Sequence, residues 1–193
     1  MSGNKVNHHL FVRENKPVSF SEQTLEKVHQ LVKRYPEGQQ RSAILPVLHI
    51  AQQENGGCLT VDAMDHVATL LGLKPIEVYE VATFYSMFFL EKVGKYVIEI
   101  CQTAPCAVCG SDDLMDHLEN KLGIKNGETT PDCLFTLRGV ECLGGCGYAP
   151  VVQVNTAFHE FMTTEKIDKL IDELRSENDK GITRETKWEE EFC

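Results

Sequence analysis

Along the first ninety residues apolar positions recur every three or four residues, the spacing of helices with one buried face. Leu25, Val28, Leu31, Val32 and Tyr35 form one such series, ended by Pro36. Ahead of it Ser19-Phe20-Ser21-Glu22 has capping-box spacing, with Ser19 as the cap. A second helix is expected from Ser42 to the Asn55-Gly56-Gly57 stop, with Pro46 in its first turn, where a missing N–H does little damage. Thr60 to Leu71 reads as a third, closed by Gly72, and Pro75 opens a fourth carrying Ile76, Val78, Tyr79, Ala82, Phe84 and Tyr85. The aromatic set Tyr79, Phe84, Tyr85, Phe88 and Phe89 suits a core or a subunit interface, with the core favoured. Four short amphipathic helices with brief connections predict a small helical bundle over residues 19–92, preceded by an N-terminal segment, 1–18.

From Gly94 the period changes. Lys95–Ile100 is β-branched and aromatic, a short strand, and Ser111–Leu122 is a helix with Ser111 as N-cap and Gly123 as its stop. Leu134–Glu141, Val151–Asn155 and Phe158–Met162 read as strands and Thr164–Arg175 as a last helix. Strand, helix, three strands and a helix over 93–175 predict a small mixed sheet with helices against it, thioredoxin-like in order. The expected fold class is therefore α+β: a small helical bundle, then a thioredoxin-like α/β domain with a mixed sheet. The remaining residues, 176–193, form a charged tail, read as a flexible end or a docking arm whose anchors would be Trp188 and Phe192.

Composition narrows the function classes. The chain has 193 residues, 42% hydrophobic and 25% charged, as expected of a globular protein with a real core. A formal net charge of −10 argues against nucleic acid and against a negatively charged membrane surface, and points to protein partners. The N-terminus lacks the apolar core of a signal peptide, and the greasiest stretch, Val81–Leu90, is far too short to cross a bilayer. A cytoplasmic, reducing compartment follows as the expectation, with no direct membrane insertion. There, eight cysteines favour metal or redox chemistry over disulfides.

Five of them lie in two short stretches, each where a strand runs out into a loop. "CQTAPCAVCG" holds Cys101, Cys106 and Cys109; "ECLGGCGYAP" holds Cys142 and Cys146. If the two strands run parallel, their ends lie at one edge of the sheet, and the loops converge. A 2Fe–2S cluster needs four thiolates, two on each iron, and Cys101, Cys106, Cys142 and Cys146 use both loops in full. Gly144, Gly145 and Gly147 would let backbone approach the sulfurs with N–H groups aimed at them, and Pro105 and Pro150 would stiffen the loops. Spacing leaves rivals open. Cys101, Cys106 and Cys109 could open a plant-type ferredoxin site; Cys106, Cys109, Cys142 and Cys146 could hold zinc; Cys106 and Cys109 could form a redox pair. Burial as small apolar side chains is a good account of Cys58, Cys133 and Cys109, and a poor one of the glycine-flanked pairs. The histidines His8, His9, His66, His117 and His159 read as packed or solvated, and none accompanies a cysteine loop, so a Rieske-type centre is not expected. No G-x-G-x-x-G follows a strand and there is no P-loop, so the chain itself has no recognisable means of taking a hydride from a nucleotide.

"VYEVATFYSMF" (78–88), "CQTAPC" (101–106), "GETTPD" (127–132) and "VECLGGCGYAPVVQVN" (140–155) together resemble the E subunit of bacterial NADH:quinone oxidoreductase, respiratory complex I. The resemblance runs from about Leu25 to Arg175. It implies a thioredoxin-like ferredoxin domain behind a helical bundle, and a C-x4-C then C-x3-C ligand pattern falling on Cys101, Cys106, Cys142 and Cys146. It further implies one-electron transfer beside a partner flavoprotein subunit that binds FMN and NADH, a larger iron–sulfur subunit in the same complex, and a place in its cytoplasmic peripheral arm. Equivalent subunits serve NAD-linked hydrogenases and formate dehydrogenases, and a zinc-stabilised interaction protein is the reading from another class. Two departures stand out: family members commonly have no cysteine where Cys109 sits, and the second loop often has an alanine where this chain has Gly145, with Asn-Ala-Pro after it rather than Gly147-Tyr148-Ala149-Pro150.

Overall fold

The computed structural model of the chain describes residues 18–180, so the N-terminal segment before them and the Trp188/Phe192 anchors lie outside the described residues. Contacts divide the chain into two compact units between Lys92 and Val93.

The first unit contains α1 (Glu22–Val32), a 3₁₀ turn (Gln40–Ala43), α2 (Ile44–Glu54), α3 (Val61–Leu71) and α4 (Pro75–Phe84). Helix α1 is capped by Ser21, whose Oγ accepts from Thr24 N, instead of by Ser19. The cap thus falls two residues later than the capping-box spacing indicated, with Phe20 buried just before it. Helix α2 starts at Ile44 because Gln40–Ala43 take the tighter turn first. Thr60 caps α3 through Ala63 N, and Gly72 ends it at φ +65°, where a side chain would be strained. Val28, Leu48, Met64, Val67, Val78 and Phe88 share one core. Phe84 does not join it and is 79% exposed, with Tyr85 against it edge-on. Val78 and Ala82 define the buried side of α4, and six residues from Val78 is roughly 240° round the helix, away from that side. The core reading of the aromatic set therefore holds for Phe88 and fails for Phe84 and Tyr85.

The second unit contains β1 (Tyr96–Cys101), α5 (Ala104–Val108), α6 (Ser111–Leu122), β2 (Phe135–Val140), a 3₁₀ turn (Cys146–Tyr148), β3 (Val152–Val154), β4 (Ala157–His159) and α7 (Thr164–Asp179). The sheet order is β2-β1-β3-β4. Strand β1 pairs parallel with β2, from Tyr96 opposite Phe135 to Cys101 opposite Val140, and antiparallel with β3. Alternation sends Tyr96, Ile98 and Ile100 to one face, where they meet Leu114 and Leu118 of α6 and Ile167, Ile171 and Leu174 of α7 in a single core. Asn155, at φ +54°, continues the sheet with its side chain: Oδ1 accepts from Val97 N at 2.8 Å and Nδ2 donates to Lys95 O at 3.1 Å.

Helix α6 is preceded by Gly110 at φ +98° as N-cap, and Ser111 is already helical and fully buried. Helix α7 continues past Arg175 through Ser176–Asp179, so the expected tail begins inside a helix.

Candidate metal centre

The parallel pairing of β1 with β2 fixes where the cysteines lie. Cys101 is the last residue of β1, opposite Val140, the last of β2, and Gln102 N donates to Val140 O at 3.0 Å. Both strands thus release their chains at the same level, and Cys142 follows two residues later. Thr103-Ala104-Pro105 then starts α5, a single turn that carries Cys106. On the other side Gly144, at φ +82°, reverses the chain into the 3₁₀ turn begun by Cys146. Ala149–Pro150 is a cis peptide bond.

Cys101 and Cys106 are buried and packed with Val151, Leu143 and Ala149. Cys142 and Cys146 are exposed, with their Sγ atoms 3.6 Å apart. That separation is close to ~3.8 Å, the edge of a tetrahedron with metal–sulfur bonds of about 2.3 Å. Among the described residues no three His, Cys, Asp or Glu side chains already surround one point as a single-ion cage; the thiols come as two pairs. The two loops meet, since N–H groups of Leu143 and Val151, beside and beyond the second pair, reach the sulfurs of Cys101 and Cys106.

Hydrogen bonds to sulfur make the first pair unequal. Burial pushes the Cys101 thiol up, but the Thr103 hydroxyl 3.2 Å away, the N–H groups of Thr103 and Leu143, and the Cys106 thiol together bring it down to about 7. Burial raises Cys106, as does the neighbouring Cys101 thiol, against a Val151 N–H that favours its thiolate. Cys146 is raised first by its hydrogen bond with Cys142 and by the charge that Cys142 would carry. Gly144 N points at Cys142 Sγ from 3.4 Å. Backbone donors therefore cross between loops: Leu143 and Val151 of the second serve sulfurs of the first.

The glycines divide by role. Gly144 carries both the turn and an N–H to sulfur; a Cβ on Gly145 would meet Val151 Cγ2 at 3.0 Å, so it allows close approach; Gly147 has open space around its missing side chain. Cys109 ends α5, exposed, with its N–H on Pro105 O and Cys106 O. It and Cys133, which sits exposed at φ +55° in the turn after Pro131, correct the expectation that they are buried apolar cysteines; Cys58 is buried as expected. His117, half-buried, bonds Asp168 from α6 to α7, within the packed or solvated role expected of it.

Sequence reasoning passed over α5 and the Thr103 hydroxyl. Thr followed by Ala-Pro is a helix-start signal that could have found the turn. The Leu143 and Val151 donors leave no sequence signal, because any residue but proline supplies an N–H.

Residues 28–175 match the family described as thioredoxin-like 2Fe-2S ferredoxin. The chain belongs to that family. This ferredoxin is 51% identical over 159 residues to the E subunit of the NADH-quinone oxidoreductase of Rickettsia felis, covering 82% of this chain and 95% of the relative. It is 39% identical over 173 residues to the mitochondrial NADH dehydrogenase (ubiquinone) flavoprotein 2 of Dictyostelium discoideum, covering 90% and 70% of the two. Among solved structures, an NAD+-reducing NiFe-hydrogenase in its H2-reduced state has the same fold, with a TM-score of 0.60 at 24% identity; the match covers 69% of this chain and 22% of that one. Two thiol pairs on adjoining loops, with N–H donors on their sulfurs and one pair at tetrahedral spacing, are a donor set that fits the cluster the family is described by.

Proposed function

We propose that this chain is the electron-transfer subunit of an NADH:quinone oxidoreductase, holding one 2Fe–2S cluster on Cys101, Cys106, Cys142 and Cys146. A partner flavoprotein subunit would bind FMN and NADH, and a larger iron–sulfur subunit would adjoin it in the peripheral arm on the cytoplasmic side. No helix among the described residues is long and apolar enough to cross a membrane. The observation that carries the reading is the convergence of the two thiol pairs at the shared end of β1 and β2, in a member of a 2Fe–2S family. The quinone-linked complex is favoured over the hydrogenase because the Rickettsia felis relative matches across 95% of its length, whereas the hydrogenase likeness is one of fold.

A 2Fe–2S centre supplies storage for one electron at a time. The chain's own residues set the conditions for it. Cys101 and Cys106 keep their sulfurs out of water, which favours the less charged state, while Thr103, Leu143, Gly144 and Val151 direct donors at sulfur, which favours the more charged one. Cys142 and Cys146 are exposed and would hold the centre where a partner could approach it.

Anaerobic purification, iron and sulfide analysis and EPR test the proposal. Expected are two irons and two sulfides per chain, as the cluster type requires, and a signal after dithionite. NADH alone should leave the protein oxidised, and NADH with the flavoprotein partner should reduce it. A colourless protein carrying zinc and no iron would sink the reading.

A further inference from the structure

The two thiol pairs differ in their access to solvent. Cys101 and Cys106 are each 1% exposed. Cys142 and Cys146 are both exposed, 3.6 Å apart at sulfur, and separated by Leu143-Gly144-Gly145. A disulfide needs the sulfurs at about 2.05 Å. Closing a gap of this size asks for side-chain rotation and a small shift in a loop with two adjacent glycines, and nothing lies within 4 Å of where a Gly144 side chain would project. The buried pair is also within hydrogen-bonding reach of itself, but Val151, Leu143 and Ala149 cover it. A bulky oxidant reaches one pair and not the other.

We propose that Cys142 and Cys146 form a reversible disulfide in the cluster-free chain, made by exchange with a low-molecular-weight disulfide, and that this bridge blocks cluster uptake. The first statement concerns thiols alone; the second rests on the cluster reading above. One thiolate of the pair attacks the small disulfide, forming a mixed disulfide and releasing one small thiolate. The second thiolate attacks the protein sulfur of that mixed disulfide and expels the other. Two protein thiols are oxidised, one small disulfide is reduced to two thiols, and the two protein protons pass to the released thiolates. The bridged sulfurs can no longer bind iron as thiolates, so the state of the exposed pair gates assembly of the site, and a dithiol reductant reopens it.

The test uses the full-length, cluster-free protein, reduced, then incubated anaerobically with glutathione disulfide, quenched, alkylated, digested and mapped by mass spectrometry. Expected is a Cys142–Cys146 linked peptide lighter by two hydrogens, with Cys101 and Cys106 alkylated only after unfolding. Cys109 and Cys133, exposed and without such a neighbour among the described residues, should instead retain glutathione and show that the oxidant works. In Cys146→Ser, glutathione should remain on Cys142. A Cys101–Cys106 bridge, glutathione persisting on both Cys142 and Cys146 of the unaltered chain, or both left reduced while Cys109 is modified, would each overturn the proposal. Ferrous iron and sulfide are then added without reductant, and bound iron is measured. The oxidised chain should lose uptake and regain it with dithiothreitol; equal uptake by oxidised and reduced chains overturns the gate. If the reduced chain binds no iron, the cluster reading fails while the mapped bridge stands.

Discussion

Thr103 occupies the N-cap of α5 yet makes no capping bond, because its hydroxyl lies on Cys101 Sγ instead. A helix-start signal in the sequence thus becomes part of a sulfur environment, which no spacing rule would announce. The cysteines themselves were legible: two pairs, each just past a strand, in loops with glycine. Spacing alone did not settle which two of the first loop's three cysteines belong with the second pair, since Cys106 and Cys109 differ only by their place on a one-turn helix. Cys109→Ser is expected to leave iron content and the EPR signal unchanged, whereas Cys146→Ser should lose or distort the cluster; iron analysis of both variants checks this, and the reverse result would restore the plant-type ferredoxin assignment. Gly94 carries a different lesson. A Cβ there would stand 2.8 Å from Phe135 C and 2.9 Å from Leu134 C, both backbone atoms that cannot swing aside. Gly94→Ala should therefore destabilise the second unit by about 1–3 kcal/mol, the usual cost of overpacking, read as a lower midpoint in urea.

Among the elements, the helices of the first unit were placed within a few residues by periodicity, and the errors lie at their ends, where Ser21 replaces Ser19 and a 3₁₀ turn precedes α2. Periodicity reports a buried face, and a terminal turn has little face to report. The same limit hid Ser176–Asp179, whose polar residues extend α7 without touching the core. Helices α6 and α7 are tied outside that core by Asp168, which meets His117 at 2.7 Å and Lys121 at 3.0 Å. The His117 hydrogen bond, then that of Lys121, holds the Asp168 carboxyl below the usual carboxylate range. A lowered folded-state value means that the unfolded chain binds more protons, so this contribution is present above the ordinary aspartate pKa of about 3.9 and is lost as pH falls through the lower folded value. Thermal melts of the native chain and Asp168→Asn should accordingly differ at neutral pH and converge in acid; a gap that widens in acid would contradict the assignment.

At the scale of the whole molecule, all four cysteines proposed to hold the cluster and the core built on Tyr96, Phe135 and Ile171 lie in the second unit. Residues 93–193 expressed alone should then take up the cluster, with iron content matching the full chain, and leave partner docking as the measurable loss. An iron-free but folded fragment would show that the helical unit takes part in holding the site. The strand at β1 was readable from its β-branched and aromatic residues, whereas its parallel pairing with β2 entered the sequence reading only as a condition; that pairing explains why one end of the sheet carries the chemistry. The alignment has an evolutionary corollary. Because Cys101 stands level with Val140, a single residue inserted inside β2 would advance Cys142 by ~3.3 Å and reverse the faces of everything between. An insertion near Lys92, where the two units join, leaves that alignment intact. Lineages of this protein can therefore drift in length at the junction, while the distance along β2 to its first cysteine is held to the residue.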